Sequence, residues 1–163
     1  MGEYNFKEDL SLGKYGENVV INDLVSLGAE LVDTCDMNYY DFRIKYKDKI
    51  ICYEVKTDDY CKIGNDTGNL FVEFECRGKE SGISVTMSDW FVYYYLHLGE
   101  IWYIRTNKLK DLIDNNNFRV SKNSGDSGSN TKGYLINRYQ FEKKFMIHKV
   151  KRPSWDIYNK INS

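Results

Sequence analysis

The chain has 163 residues, 42% of them hydrophobic and 29% charged, with a formal net charge of −1. That length makes one domain with room for a real core, and 14 Tyr, 8 Phe and 3 Trp exclude disorder over most of it. No apolar run approaches the roughly 18 residues of a membrane span, and the opening MGEYNFKEDL lacks the apolar stretch of a secretory signal, so a cytoplasmic protein with no membrane partner is expected.

In chain order, apolar residues at 19, 20, 21, 24, 25, 27 and 31 predict a helix over 14–32 that ends near Gly28. Residues 39–46 alternate, with Phe42, Ile44 and Tyr46 opposite Asp41, Arg43 and Lys45. The triplet KDK makes a turn, and 49–56 form a second strand, so a β-hairpin is expected. Residues 69–76 read as a third strand, followed by a turn over 77–82. Ser88 or Asp89 is placed to cap a helix through DWFVYYYLHL, stopped by Gly99. Its aromatic residues suit packing on a sheet better than stacking on bases. A fourth strand over 101–106, a short helix over 107–115 capped by Thr106 or Asn107, and a strand over 118–122 follow. Residues 123–133 are a Gly/Ser/Asn loop, and 134–151 begin as strand and continue as helix or strand. The order α-β-β-β-α-β-α implies a mixed α/β or α+β layer.

Charge is unevenly placed. Residues 1–118 hold 13 basic and 21 acidic residues, whereas 119–163 hold 10 basic and 3 acidic. An acidic body with a basic final third can hold a polyanion beside a carboxylate site; a solvated basic surface has the same composition. Cys35, Cys52, Cys61 and Cys76 form no CxxC pair, and His97 and His148 lie far from them in sequence. Zinc binding, a disulfide framework and Cys–His catalysis are therefore not expected. Lys132 is followed by Gly133, so the Gly-rich loop is no phosphate-binding GxxxxGK[ST] motif and no nucleotide cofactor is implied.

Chemistry concentrates in the predicted hairpin. With period 2, Glu54 and Lys56 share one strand face. A turn centred near Asp48 sets position 41 opposite about position 55. Asp41, Glu54 and the Val55 carbonyl would then suit a hard divalent ion such as Mg²⁺. Lys56 beside it would supply a point charge for a developing phosphate anion. On a solvent-facing strand the same residues would make ordinary cross-strand pairs. Glu73 and Glu75 share a face of the third strand, and Glu73 is the candidate for a further ligand or a water-activating group.

The stretch YYDFRIKYKDKIICYEVKTDDY resembles the core of the PD-(D/E)XK nuclease superfamily, the restriction-endonuclease-like fold. Asp41 matches the motif Asp and Glu54-Val55-Lys56 matches ExK; Tyr40 stands where the motif has Pro. Glu17, in KYGENVV, matches a first-helix Glu that points at the metal. The longer run through TGNLFVEFECRGKESGISVTMSDWFVYY looks like phage-type nucleases akin to Holliday junction resolvases. The resemblance covers about residues 13–106 of a single domain and leaves a basic extension over 118–163. It implies a central mixed sheet flanked by helices in the order αβββαβ. It also implies a Mg²⁺-dependent DNA endonuclease (Mn²⁺ can substitute), encoded by a phage or virus. Asp41, Glu54, Val55 and Glu17 would hold the metal, with Lys56 completing the catalytic set. Cutting two strands symmetrically fits a homodimer. The competing reading is an inert nuclease fold used for binding.

Contacts to duplex or branched DNA are expected from Arg77 and Lys79 in the turn and from Lys132 at the loop. Lys143, Lys144, Lys149, Lys151 and Arg152 are the candidates for backbone contacts, which give affinity without reading sequence.

Overall fold

The first helix, α1 (Phe6–Ser26), turns the apolar stripe of Val20, Ile21 and Leu24 onto a sheet, where all three are buried. In this computed structural model, residues 6–35, 37, 39–122 and 130–161 are described. The expected loop at 123–133 therefore lies outside them over 123–129. Gly28 ends the helix with φ +102°, a left-handed value that favours glycine. Residues 30–32, expected as helix, instead begin β1 (Glu30–Thr34). It pairs antiparallel with β2 (Phe42–Tyr46), and the facing pair Asp33 and Arg43 is joined by a two-pronged ion pair.

β2 and β3 (Lys49–Asp58) form the expected hairpin. Lys47 and Asp48 have φ of 48° and 63°, both positive as a two-residue turn that follows the strand twist requires. From β3 the chain leaves for a second sheet through β4 (Asn69–Cys76), β5 (Lys79–Glu80) and a 3-10 turn at Gly82–Ser84. It returns as β6 (Trp90–Tyr95), parallel to β3, and reverses into β7 (Glu100–Arg105).

The segment expected as a helix over 88–98 is therefore this strand. Phe91, Tyr93 and Tyr95 bury on one face, and Val92 and Tyr94 on the other. A strand covered on both faces reads as an unbroken apolar run, which gives no periodicity to separate it from a buried helix. Aromatic and β-branched side chains favour the strand, and each such burial contributes about 2–3 kcal/mol before entropy is counted. The order αβββαβ is accordingly not the one observed: the crossover from β3 to β6 carries strands and a 3-10 turn in place of a helix.

After β7 come α2 (Thr106–Asp114), β8 (Arg119–Lys122), β9 (Lys132–Asn137), β10 (Met146–Lys149) and α3 (Trp155–Ile161). The six-stranded sheet runs β1-β2-β3-β6-β7-β10 and the four-stranded sheet β5-β4-β9-β8. One core cluster lies between α1 and the larger sheet, with Val20, Phe42, Val55, Tyr94 and Ile101. The second joins the opposite face, through Phe91, Tyr93 and Trp102, to Leu70, Val72 and Ile136 of the smaller sheet and Leu109 of α2. The molecule is thus a layered mixed α/β protein built on a mixed sheet. Among the described residues, no helix is long and apolar enough to cross a membrane.

Candidate active site

The observed hairpin register pairs Phe42 with Tyr53, which sets Asp41 against Glu54, one residue from the expected partner. Asp41 lies just before β2, where its N–H donates to the Tyr53 carbonyl at 2.9 Å. Its Oδ2 accepts the Val55 N–H at 2.6 Å. The Val55 carbonyl leaves the strand on the same side as its N–H. Glu54 is only 8% exposed. Its Oε1 meets Lys56 Nζ at 3.0 Å, and its Oε2 accepts from Thr86 Oγ1 at 3.3 Å.

Thr86 heads a buried hydroxyl chain: it meets Ser88 Oγ at 2.8 Å, and Ser88 meets Thr106 Oγ1 at 3.2 Å. Ser88 and Thr106, expected as helix caps, instead serve this chain. Ser88 precedes a strand, and α2 has Arg105 at its N-cap with no side-chain cap bond. Asp89, the other expected cap, accepts the Cys52 N–H at 2.8 Å and so ties β3 to the start of β6.

Asp41, Glu54 and Lys56 open on a cleft of about 890 Å³ that also takes in Lys14 and Glu17 of α1, Glu73 and Cys76 of β4, Lys79, Ser81 and Gly82. The first helix, the hairpin, β4, β5 and the 3-10 turn therefore all supply its walls. Gly82 is required where the 3-10 turn meets β4: its φ is +53°, and a Cβ there would stand 2.2 Å from the Glu73 carbonyl oxygen. A bulge between Glu73 and Glu75 breaks the expected period. Glu73 and Cys76 line the cleft, whereas Glu75 pairs with Lys132 at 2.8 Å. Asp58 and Asp59, just past the Glu54-Val55-Lys56 triplet, are half-buried and engaged. Asp58 accepts the N–H groups of Tyr60 and Cys61, and Asp59 meets His97 at 2.5 Å.

Burial, then the neighbouring Glu54, pushes the Asp41 carboxyl up to about 7, with a smaller push from Glu17 and the Val55 N–H acting the other way. Burial pulls the Lys56 ammonium down, but Glu54 and Asp41 outweigh it and hold Lys56 above its ordinary value. Among the described residues, no group of three or more His, Cys, Asp or Glu stands ready-made around one metal position. The donor set nevertheless fits a hard cation of low coordination demand on the protein: two carboxylates and a carbonyl on adjacent chain segments. Their mutual repulsion, seen in the raised Asp41, is what a bound cation would relieve.

Of the expected site residues, Asp41, Glu54, Lys56, Glu17 and Glu73 come together here, joined by Lys79 of the expected DNA contacts. Lys132 lies next to the cleft, in its pair with Glu75. Arg77 occupies the β4–β5 turn with φ 54°. Lys143 and Lys144 belong to a 3-10 turn, and Lys149 pairs with Glu100 at the edge strand far from β2. Lys151 and Arg152 line a separate groove of about 760 Å³ with Lys62, His97, Trp155 and Tyr158. Lys14, Ser81 and Gly82 are cleft residues that the sequence pattern does not mark as site residues. Lys14 was readable in principle, because it precedes Glu17 by three residues on one helix and pairs with it at 3.4 Å. Comparison with known proteins finds no matching family model, no similar curated protein and no similar solved structure.

Proposed function

We propose that the chain is a divalent-metal-dependent DNA endonuclease of the restriction-endonuclease-like kind, acting inside the cell with selectivity for DNA structure, as Holliday junction resolvases do. One observation carries this reading: Asp41, Glu54 and Lys56 converge on one cleft that Glu17 and Glu73 also line. Asp41, Glu54, the Val55 carbonyl and Glu17 would hold Mg²⁺, or Mn²⁺ in its place. When bound, such an ion polarises a phosphate and makes a nucleophile of water near neutral pH.

The chain's own residues supply the rest. Thr86 holds Glu54 from behind, so the carboxylate presents a fixed edge to the cleft. Lys56, with 42% of its side chain exposed, can swing from Glu54 to an incoming phosphate oxygen and offset the charge that develops there. Lys79 and Lys14 flank the mouth and draw in a phosphate backbone. Glu73 faces the site from the second sheet and is placed to orient a water. A homodimer belongs to this reading if both strands of a junction are cut.

The test is cleavage of labelled four-way-junction, duplex and single-stranded DNA with Mg²⁺ and with EDTA, beside Glu54→Ala and Lys56→Ala. Metal-dependent cleavage lost in both variants is the expected result. The Lys56–Glu54 ion pair favours a second reading, an inert nuclease-fold module, because it occupies the carboxylate a metal would need. Binding of DNA with no cleavage of any substrate would establish that reading instead.

A further inference from the structure

A second hollow of about 330 Å³ shares Lys56 and Glu73 with the catalytic cleft. Beyond Thr57 and Asp58 of β3, its remaining lining is ring and aliphatic surface. Phe71 and Leu135 face each other across β4 and β9, and Tyr93 and Tyr95 project from β6. Tyr60 stands at the rim, 86% exposed. Tyr93 sits beside Lys56 in the parallel β3–β6 register. Its side chain is 4% exposed, yet its hydroxyl has no hydrogen-bond partner among the described residues. A buried hydroxyl without a partner is costly unless a ligand or water supplies one.

At about 330 Å³ the hollow lies at the small end of ligand pockets and has room for a single planar ring system. Aromatic walls, a few polar groups among them and an open border with a phosphate-handling cleft describe a nucleobase site. Resting on the nuclease reading, we propose that this hollow takes one unpaired base of the nucleotide next to the scissile phosphate. A paired base inside a duplex cannot reach it without leaving the stack. The substrate class is therefore DNA with an unpaired nucleotide at the cut: a single strand, a flap or the exchange point of a branch. Stacking tolerates every base, because each has a π-face, so discrimination among them falls to the polar groups of the lining, Lys56, Asp58, Glu73 and the Tyr93 hydroxyl.

The experiment uses the full chain and a short single-stranded oligonucleotide carrying one 2-aminopurine, titrated in EDTA so that binding is read without cleavage. The expected result is a change in 2-aminopurine fluorescence on binding. Phe71→Ala should weaken that binding about ten-fold, the loss of one stacking partner. Tyr60→Ala, at an exposed rim position that folding does not depend on, should weaken it less and serves if Phe71→Ala is unfolded. Tyr93→Phe, which removes no hydrogen bond from the free protein, should keep the fold and alter the ranking of the four bases. The same oligonucleotide in a perfect duplex should give no fluorescence change.

Fluorescence unchanged on binding, or unaffected by all three variants, overturns the base site whether or not the protein cleaves DNA. Failure to cleave any substrate with Mg²⁺, while the fluorescence response and its loss in Phe71→Ala persist, overturns the nuclease reading and leaves the base site standing.

Discussion

Arg138 is fully buried, and its guanidinium lies 4.2 Å from the Tyr95 ring centre and 4.6 Å from that of Tyr139. It donates to the Asn69 carbonyl at 3.1 Å and to Asp66 at 2.5 Å, so it ties the β9 end of the small sheet to β4 and packs on β6 of the large one. Asp66 also accepts from the Tyr139 hydroxyl and the Gly68 N–H. Burial pushes the Asp66 carboxyl up, but the hydrogen bonds from Arg138, Tyr139 and Gly68 outweigh it and hold it well below the usual carboxylate range. Asp66→Ala would leave the guanidinium buried without its counter-charge, a loss of about 3–5 kcal/mol. For a chain of this size that lowers the thermal midpoint by roughly 10 °C. Thermal and urea denaturation followed by circular dichroism read it directly.

Because the folded carboxyl titrates lower than the unfolded one, its contribution is complete above about pH 4 and is lost as pH falls through the folded value. The wild-type protein should therefore lose stability on acidification below about pH 4 more steeply than Asp66→Asn. The double variant Asp66→Leu/Arg138→Met should recover most of the loss, since an apolar pair of similar volume leaves no charge stranded. An Asp66→Ala protein within about 1 kcal/mol of wild type would refute the reasoning, because a stranded buried charge cannot be that cheap.

The other predictions concern the cleft. With its carboxyl pushed up to about 7, Asp41 must release a proton to hold a cation. Calorimetry in buffers of different ionisation enthalpy should show proton release on Mg²⁺ binding at acidic pH and little well above 7; equal heats across buffers at every pH would exclude Asp41 from the site. A carboxyl raised in the folded state also costs stability as pH rises through the folded value, so Asp41→Asn should be more stable than wild type above neutrality, by about 2–4 kcal/mol at most, as chemical denaturation at two pH values would read. Thr86→Val frees one edge of Glu54 and should weaken Mg²⁺ binding about 10–100-fold with the fold intact, measured by isothermal titration. Gly82→Ala forces a Cβ to 2.2 Å from the Glu73 carbonyl at a φ of +53° and should cost about 1–3 kcal/mol in denaturation experiments.

The hairpin was legible because its alternation and its two-residue turn are both local. Phe42 and Ile44 face the core while Lys45 faces solvent, and positive φ at Lys47 and Asp48 closes the loop without Asn or Gly. Local alternation placed Asp41, Glu54 and Lys56 within one residue of their observed register. β1 is illegible in the sequence because no residue of Glu30–Thr34 is buried at this sheet edge, with Leu31 46% and Val32 45% exposed, so no buried face marks its pattern. The strand at 90–95 reads as a helix in sequence because burial on both faces erases the period that separates the two. The second sheet was invisible for another reason. The pairing of β4 with β9 joins residues some sixty positions apart in sequence, and only tertiary packing decides that β4 leaves the hairpin's sheet. With that sheet unseen, Gly82, Ser81 and the Glu73 bulge had no cleft to belong to.

The half-buried carboxylates of this fold show which ones serve stability. Asp66 has Arg138, Asp33 has Arg43, Glu100 has Lys149, and Asp23 accepts both the Tyr103 hydroxyl at 2.7 Å and His148 Nδ1 at 2.7 Å. For Asp33 and Asp66 the partner lowers the carboxyl below its ordinary value. Asp41 departs from this pattern: its contact is a neutral N–H, its nearest charges include two carboxylates, and Lys56 is engaged by Glu54. A fold selected for stability alone would place Asn there, keep the Val55 hydrogen bond and lose the repulsion. A buried carboxyl raised by desolvation and by neighbouring carboxylates, and lining a cleft, is a candidate for chemistry in place of stability. On the proposed nuclease reading, a cation would turn that repulsion into coordination and make the arrangement favourable.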